Sequence, residues 1–412
     1  MTIIEFFDKA LIENIAGALL CEPQQIILIG DGGKQLGRAR SLYQNILARN
    51  NITTEISYKS VNRNNLQGII SLLEQIVVAH EDCIFDLTGG EELYLVAVGT
   101  IMERYKGRVQ CHRFNFKNNT LNDCDADGNV CNSKSFDISI EDNINIYGGE
   151  IVTDPQEEIY TYPWDFNEDF QHDIEVMWEI CRKDTRLWNA HVGTLGAVCE
   201  LFELQDTLSV SFEKDLAVLA LKQKGIKYVG IARIMYELQK HGLIHSLVMQ
   251  DTVSFVFKNE QVKQCLTIAG QILELAVAKT MRSIQDKNGA PLYHDVRVGV
   301  VIDWDRSEEE EEYRTINEID VMAMKGSIPI FISCKNGNFD ANELYKLNTV
   351  AEHFGNKYSK KVLVSTELDK LGEKSDYIRA RMEDMGIRSV ANVDEMVDHE
   401  FERVLRSLWC NS

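Results

Sequence analysis

The chain has 412 residues, 44% of them hydrophobic and 26% charged, which is ordinary for a globular protein with apolar material for two or three cores and excludes disorder as its organising state. With 64 acidic against 43 basic residues, its formal net charge is −21, which argues against general coating of nucleic acid or an anionic membrane and leaves room only for a local basic groove. No apolar run is long enough to cross a bilayer, the start lacks a basic n-region, and the ten scattered cysteines form no CxxC pair, so a reduced, cytoplasmic chain without zinc-ligand spacing is expected.

Short apolar runs alternate with helical patterns over the first 150 residues. Strands are expected at residues 3–8, 24–30, 53–60, 83–87 and 109–114, and helices at 11–20, 36–48, 66–80 and 92–105. That rhythm implies a parallel sheet covered by helices on both faces, with ligands bound beyond the carboxyl ends of its strands. Asp125-Ala126-Asp127-Gly128-Asn129, between Cys124 and Cys131, reads as a hairpin turn. Residues 137–163 are irregular, with Tyr147-Gly148-Gly149 as a turn, and the first domain, 1–150, is expected to end there.

A second domain, about 165–260, is mostly helical. Residues 227–241 form an amphipathic helix, and Gly242, an apolar run and a strand at 254–257 follow it, which suggests a winged-helix-like module. Lys222, Lys224, Lys227 and Arg233 make no dense basic stripe, so a connector that packs dimers is preferred to a DNA reader.

The third domain, 261–412, opens with a helix at 265–284. Strands are expected at 296–304, 318–324, 328–334 and 361–365, and helices at 341–354 and 374–385. Residues 308–312 are five glutamates and read as a solvated loop. The fold class is therefore α/β: an N-terminal Rossmann-like parallel sheet, a winged-helix-like middle and a C-terminal α/β domain.

Within the last domain, Asn317-Glu318-Ile319-Asp320-Val321 and Phe331-Ile332-Ser333-Cys334-Lys335 are neighbouring strands joined by Lys325-Gly326-Ser327. Side chains two apart on a strand share a face, so Glu318 goes with Asp320 and Ser333 with Lys335, and a hairpin lets the pairs converge. Lys335 ends an apolar run, where a charge is costly without a partner. Glu274 is a lone acid in an apolar helix and so faces something cationic. Phosphodiester hydrolysis near neutral pH needs a divalent cation and carboxylate oxygens to hold it, and an ammonium can orient water or offset developing charge. The alternative is a surface ion pair on adjacent strands worth under about 1 kcal/mol.

Two loops follow apolar strands in the first domain: Gly30-Asp31-Gly32-Gly33-Lys34 and Asp86-Leu87-Thr88-Gly89-Gly90-Glu91. Glycines let a ligand approach the backbone, and amides at a helix start suit phosphates. Neither loop is a GxGxxG fingerprint or a P-loop, which disfavours an ATPase or a nicotinamide enzyme.

The order helix-Glu274, strand-Asp320, strand-Ser333-x-Lys335 resembles the PD-(D/E)xK restriction-endonuclease-like nucleases, and it departs from the pattern at Ser333, where an acid would stand. The resemblance implies metal held by Asp320, Glu274 and the Cys334 carbonyl, with Glu318 or Ser333 assisting and Lys335 supporting the attacking water. Residues 86–91 resemble the strand-TGG-helix element of CRISPR-associated Rossmann-fold (CARF) domains, and Phe7-Asp8-Lys9-Ala10-Leu11-Ile12-Glu13-Asn14 their first loop. The whole chain is then similar to CARF nucleases with a C-terminal restriction-like domain. That implies a homodimeric type III CRISPR accessory effector in antiviral defence, activated by cyclic tetra-adenylate and cutting DNA, RNA or both with Mn²⁺ or Mg²⁺. Activator contacts are expected from Lys9, Asn14, Gly32, Gly33, Lys34, Thr88, Gly89, Gly90 and Glu91, and substrate-backbone contacts from Lys357, Lys360, Lys361, Arg379 and Arg381. The alternatives are a DNA-binding CARF regulator with a defunct nuclease, and a sensor that degrades its own ligand.

Overall fold

The computed structural model describes residues 1–7, 11–125, 127–205, 207–304 and 314–409. Lys9, the glutamates 308–312 and the Lys34 side chain lie outside the described residues. The expected α/β class is present, in three sheets.

The first sheet comprises β1 (Thr2–Phe6), β2 (Gln25–Gly30), β3 (Glu55–Ser60), β4 (Cys83–Asp86), β5 (Val109–Asn115), β6 (Thr120–Cys124) and β7 (Val130–Ser135). Their order is β3-β2-β1-β4-β5-β6-β7, with β1 to β5 parallel and β6 and β7 added antiparallel. Helices α1 (Leu11–Cys21), α2 (Gly33–Arg49), α3 (Leu66–Ala79) and α4 (Glu92–Arg104) connect the parallel strands. The apolar side chains of β1 and β2 alternate between faces: Ile26 and Leu28 pack with α1 and α2, whereas Ile4, Phe6, Ile27 and Ile29 pack with α3 and α4. The 125–129 turn closes the β6–β7 hairpin as expected, through Asp125 N–H to Asn129 O at 3.0 Å.

Two elements in residues 137–163 were not legible: α5 (Ile140–Ile146) and β8 (Glu150–Ile151). Ser139 caps α5 by accepting the Asp142 N–H at 3.0 Å. β8 is an edge strand of the last sheet, pairing antiparallel with β12 (Asp295–Asp303).

The middle holds α6 (Glu168–Cys181), α7 (Thr185–Leu201), β9 (Ser209–Glu213), α8 (Lys214–Gln223), α9 (Ala232–Lys240), β10 (Ile244–Met249) and β11 (Thr252–Phe257). The α8–α9 pair followed by the β10–β11 hairpin, with β9 on its edge, is the winged-helix-like arrangement expected. The helix expected at 227–241 is shorter. Residues 227–231 are not helical because Gly230 is a poor helix former and tertiary partners take the backbone: Val229 N–H donates to Thr194 Oγ1 at 3.4 Å, and Gly230 O lies 3.2 Å from His191 Nε2.

The helix expected at 265–284 is two helices, α10 (Glu260–Thr267) and α11 (Gln271–Ser283), broken at Gly270 with φ +94°. After β12 come β13 (Ile316–Lys325), β14 (Ile328–Lys335), α12 (Asn342–Phe354), β15 (Lys360–Ser365), α13 (Glu373–Asp384), β16 (Ile387–Ala391) and α14 (Asp398–Ser407). The sheet order is β16-β15-β14-β13-β12-β8. One face, with Val321, Ile330 and Ile332, shares a core with α11 and the middle helices. The other, with Met322, Met324 and Phe331, shares a core with α12, α13, α5 and the α1/α2 side of the first sheet. The last sheet is thus clasped by the rest of the chain on both faces.

The closed end of the β13–β14 hairpin touches the first sheet. Asn119, in the β5–β6 turn, accepts the Ser327 N–H at 2.9 Å and hydroxyl at 3.1 Å. Gly326, at φ +62°, has no room for a β-carbon, which would overlap the Asn119 side chain. Gly326→Ala is therefore expected to lower stability by about 1–3 kcal/mol in denaturant titration, and an unchanged midpoint would remove this clamp.

Candidate active site and switch-point loops

The β13–β14 ladder runs from Lys325↔Ile328 to Val321↔Ile332 and stops. β14 stays paired with β15 as far as Lys335↔Ser365, so the hairpin opens at its far end. On the other side the β12–β13 ladder is interrupted at Gly299–Asp320. Asp320 is thus freed from strand pairing, and its carboxylate takes over a backbone role: Oδ2 accepts the Cys334 N–H at 2.6 Å. The same oxygen accepts from Ser333 Oγ at 3.1 Å and Lys335 Nζ at 3.3 Å. The convergence expected from strand parity is present for Asp320, Ser333 and Lys335.

Glu318 lies on the same edge but is exposed, over Gly299, whose φ of +58° and missing β-carbon leave it space. Glu274, in the first turn of α11, is half-buried, and its Oε2 accepts from Gln271 Nε2 at 2.8 Å. Burial, then the charges of Asp320 and Glu318, push the Glu274 carboxyl well above the usual carboxylate range, with Lys335 opposing. Although Glu318 as a whole reaches solvent, it lines the cleft, and desolvation there, then the Asp320 charge, raises its carboxyl as well. Burial alone would lower Lys335, but Asp320, and after it Glu343, hold it above its ordinary value, so it is an ammonium at neutral pH.

Sequence reasoning missed Glu343. In the first turn of α12, it places Oε2 2.9 Å from Lys335 Nζ and Oε1 3.1 Å from Lys346 Nζ. Its only sequence signal was an acid in a helix's first turn, eight residues after Lys335. Glu343 joins Asn317, Glu318, Asp320, Ser333 and Lys335 around a cleft of about 310 Å³.

Among the described residues no three His, Cys, Asp or Glu side chains are gathered as a ready metal cage. The donor chemistry nonetheless fits a hard divalent cation. Burial, and after it the neighbouring negative charge, holds Glu274 and Glu318 above the usual carboxylate range, a cost that a cation would relieve. Of the expected substrate-contacting cations, Arg379 pairs with Asp369, Arg381 with Asp384 at 3.3 Å, and Lys361 donates to Asn348 at 2.6 Å.

In the first sheet the strand order reverses at β1 and β4, so the loops after them part at a topological switch point, where such sheets bind ligands. Thr88, Gly89 and Gly90 form the loop after β4. A β-carbon on Gly89 would lie 2.5 Å from Asn14 Oδ1 and 2.9 Å from Phe6 O. Asn14 itself is buried, donating Nδ2 to Phe6 O at 3.3 Å, so it supports this loop from below. Gly32, at φ +114°, precedes α2, which begins at Gly33. Glu91 is held by Arg63 at 2.8 Å, and Arg63 also reaches Asp31 at 3.8 Å, tying the two candidate loops together; no sequence motif singles out Arg63.

A buried polar row lies beneath. Glu5, Asp86 and His112 are register partners across β1, β4 and β5, each at most 1% exposed. His112 Nε2 is 3.3 Å from Asp86 Oδ2, and Asp86 Oδ1 accepts the Thr88 N–H at 2.8 Å. Thr88 Oγ1 in turn accepts the Phe114 N–H at 2.8 Å. Burial opposes protonation of His112, but the Asp86 hydrogen bond and charge raise it to about 10. Burial, then Asp86, push Glu5 well above its usual 4.5. Unfolded Glu5 ionises near 4.5 and folded Glu5 far later, so stability falls as pH rises above that. The His112 contribution is complete below about 6.5 and is lost as pH approaches about 10. Glu5→Gln is expected to raise the Tm at pH 8 by about 2–4 °C and to flatten its decline from pH 5 to 8. An unchanged Tm profile between those pH values would contradict the buried neutral carboxyl.

Residues 261–406 match the family model for the Card1-like endonuclease domain. No sequence match to a curated protein was found. Among solved structures, protein VC1899 from Vibrio cholerae superimposes with a TM-score of 0.70 at 18% identity, covering 98% of this chain and 97% of that one. Can2 from Sulfobacillus thermosulfidooxidans, solved in complex with cyclic tetra-adenylate, gives 0.64 at 14% identity over 98% and 99%. The chain therefore has the Can2 fold from end to end, and the segment bearing Glu274, Asp320, Ser333 and Lys335 matches the Card1-like endonuclease domain.

Proposed function

We propose that this chain is a metal-dependent endonuclease, switched on by a cyclic oligoadenylate, of the size of cyclic tetra-adenylate, bound to its N-terminal sheet. The observation that carries this reading is the convergence of Ser333 Oγ, Cys334 N–H and Lys335 Nζ on one oxygen of Asp320 at the open end of a hairpin, inside the endonuclease-like segment. We divide the chain at 1–150 for the sensor, 165–260 for the connector and 261–412 for the nuclease.

Asp320 and Glu274 would hold the cation, with the Cys334 carbonyl and Glu318 or Ser333 assisting. Bound there, a Mn²⁺ or Mg²⁺ ion supplies Lewis acidity toward the phosphoryl oxygen and an acidified water. Lys335, fixed as an ammonium, donates to a phosphoryl oxygen and offsets the charge that grows on it during in-line attack. Ser333 keeps the Asp320 carboxylate in one rotamer. In the sensor, the loop after β4 at Gly89 and the start of α2 at Gly33 are the proposed phosphate contacts, and the Thr88 N–H, already taken by Asp86 Oδ1, holds that loop in shape. A homodimer suits a ring with two-fold symmetry, and α4 exposes Leu95 and Val96, 42% and 52% accessible, just after this loop. No described helix is long and apolar enough to cross a membrane, and a cytoplasmic type III CRISPR effector is the setting we infer.

Ser333 favours one second reading, a regulator that keeps the sensor and has lost the nuclease. Plasmid, single-stranded DNA and RNA, each incubated with Mn²⁺ with and without cyclic tetra-adenylate, separate the two. Cleavage that needs both cation and activator supports the nuclease, and intact substrates in every combination support the regulator.

A further inference from the structure

The strand position two residues before Lys335 carries a hydroxyl, not an acid. Two carboxylates stand near enough to take over its charge. Glu318, on the neighbouring strand, is exposed, and among the described residues its carboxylate makes no hydrogen bond or ion pair. Glu343 approaches from α12 and holds Lys335 Nζ at 2.9 Å, closer than Asp320 does at 3.3 Å. A helix-surface pair such as Glu343–Lys346 is common and worth little. A lysine whose side chain is only 20% exposed, clamped between carboxylates from two separate elements, is not such a pair.

We propose that Glu343 is a further carboxylate of this active site, brought in from α12 to stand in for the negative charge that β14 lacks at Ser333. This deepens the nuclease reading and rests on it. Glu343 acts through Lys335: it keeps the ammonium beside Asp320 once a cation competes for the Asp320 oxygens, and it restores the negative charge the cleft needs to attract that cation. It is a positioning residue, and no bond to it forms or breaks. Its place at the start of α12 also suits a carboxylate, because the helix dipole is positive there.

The test uses the full chain with Mn²⁺ as the probe. Glu343→Gln is expected to lower kcat about 10²-fold with little change in KM for nucleic acid, and to weaken Mn²⁺ binding, followed by the free-ion electron paramagnetic resonance signal, about tenfold. Glu343→Asp, which keeps the charge on a shorter arm, should fall between. The deciding variant adds Ser333→Glu to Glu343→Gln: with an acid back on the strand, Mn²⁺ affinity and kcat recover to within about tenfold of the parent. A merely structural glutamate would lower the Tm and show no such recovery. Glu343→Gln with unchanged kcat and Mn²⁺ affinity overturns the proposal, as does a loss seen with Glu318→Gln instead. Failure of the nuclease reading looks different: the parent and Asp320→Ala then behave alike, while the Mn²⁺ titration still reports on Glu343.

Discussion

Asp320→Ala is expected to reduce activator-dependent cleavage by about three orders of magnitude or more, the largest effect of any single substitution in the cleft. The reason is the number of groups that meet at one atom. Asp320 Oδ2 takes the Ser333 hydroxyl, the Cys334 amide and the Lys335 ammonium, at 3.1, 2.6 and 3.3 Å. Removing it deletes the proposed cation ligand, lets Lys335 relax toward Glu343, and leaves the Cys334 N–H without its acceptor. The loss of one hydrogen-bonded carboxylate near the protein surface should lower stability by about 1–3 kcal/mol, too little to unfold the chain. Binding of cyclic tetra-adenylate, measured by calorimetry, should survive, because the first sheet's switch point lies in another part of the fold. Equal cleavage by parent and variant, at matched purity, would discard the site.

The complementary result is expected at Gly89. In Gly89→Val the new side chain would press on Asn14 Oδ1 and Phe6 O, which α1 and β1 hold in place. The loop can only move outward, drawing Thr88 away from its bonds to Asp86 and to Phe114 N–H. Affinity for cyclic tetra-adenylate should drop at least about 100-fold, roughly 2.8 kcal/mol, and cleavage should lose its response to the activator. Far-UV circular dichroism guards against trivial unfolding. A variant that binds as tightly as the parent would move the ligand site away from this loop. Taken together, the two variants separate sensing from cutting in a way that neither does alone.

How a signal would pass between the two sites follows from packing. The β5–β6 turn grips the closed end of the β13–β14 hairpin through Asn119, and the open end of the same hairpin carries Asp320, Ser333 and Lys335. The far end of α12 is held by Asn143 of α5, whose Nδ2 donates to Phe354 O at 2.9 Å, while its near end carries Glu343. Both flanks of the cleft are therefore mechanically attached to the first sheet and α5, and a shift there has two routes to Lys335. Such routes transmit a signal only if the activator binds two arrangements of the hairpin or of α12 unequally.

The sequence alone determined what depends on near neighbours. Runs such as Gln25–Gly30 and Ile328–Lys335 are apolar enough to be buried strands wherever they pack, and strand parity alone put Glu318 with Asp320 and Ser333 with Lys335. Gly89 and Gly90 marked a loop with close approaches before any partner was known. Residues 227–231 and 268–270 misled because their apolar spacing is helical, and packing at the weak points Gly230 and Gly270 ends the helices there: Gly230 meets His191, and α10 stops where the Thr267 carbonyl rests against Gly196 of α7. The short β6, β7, β8 and β16 carry little periodicity of their own and form by edge pairing with strands already in place. Glu343, Arg63 and the Glu5–Asp86–His112 row were decided by tertiary structure alone. Each owes its meaning to a charge on another element, and a charge's partner is a matter of distance in space, which a linear pattern does not encode.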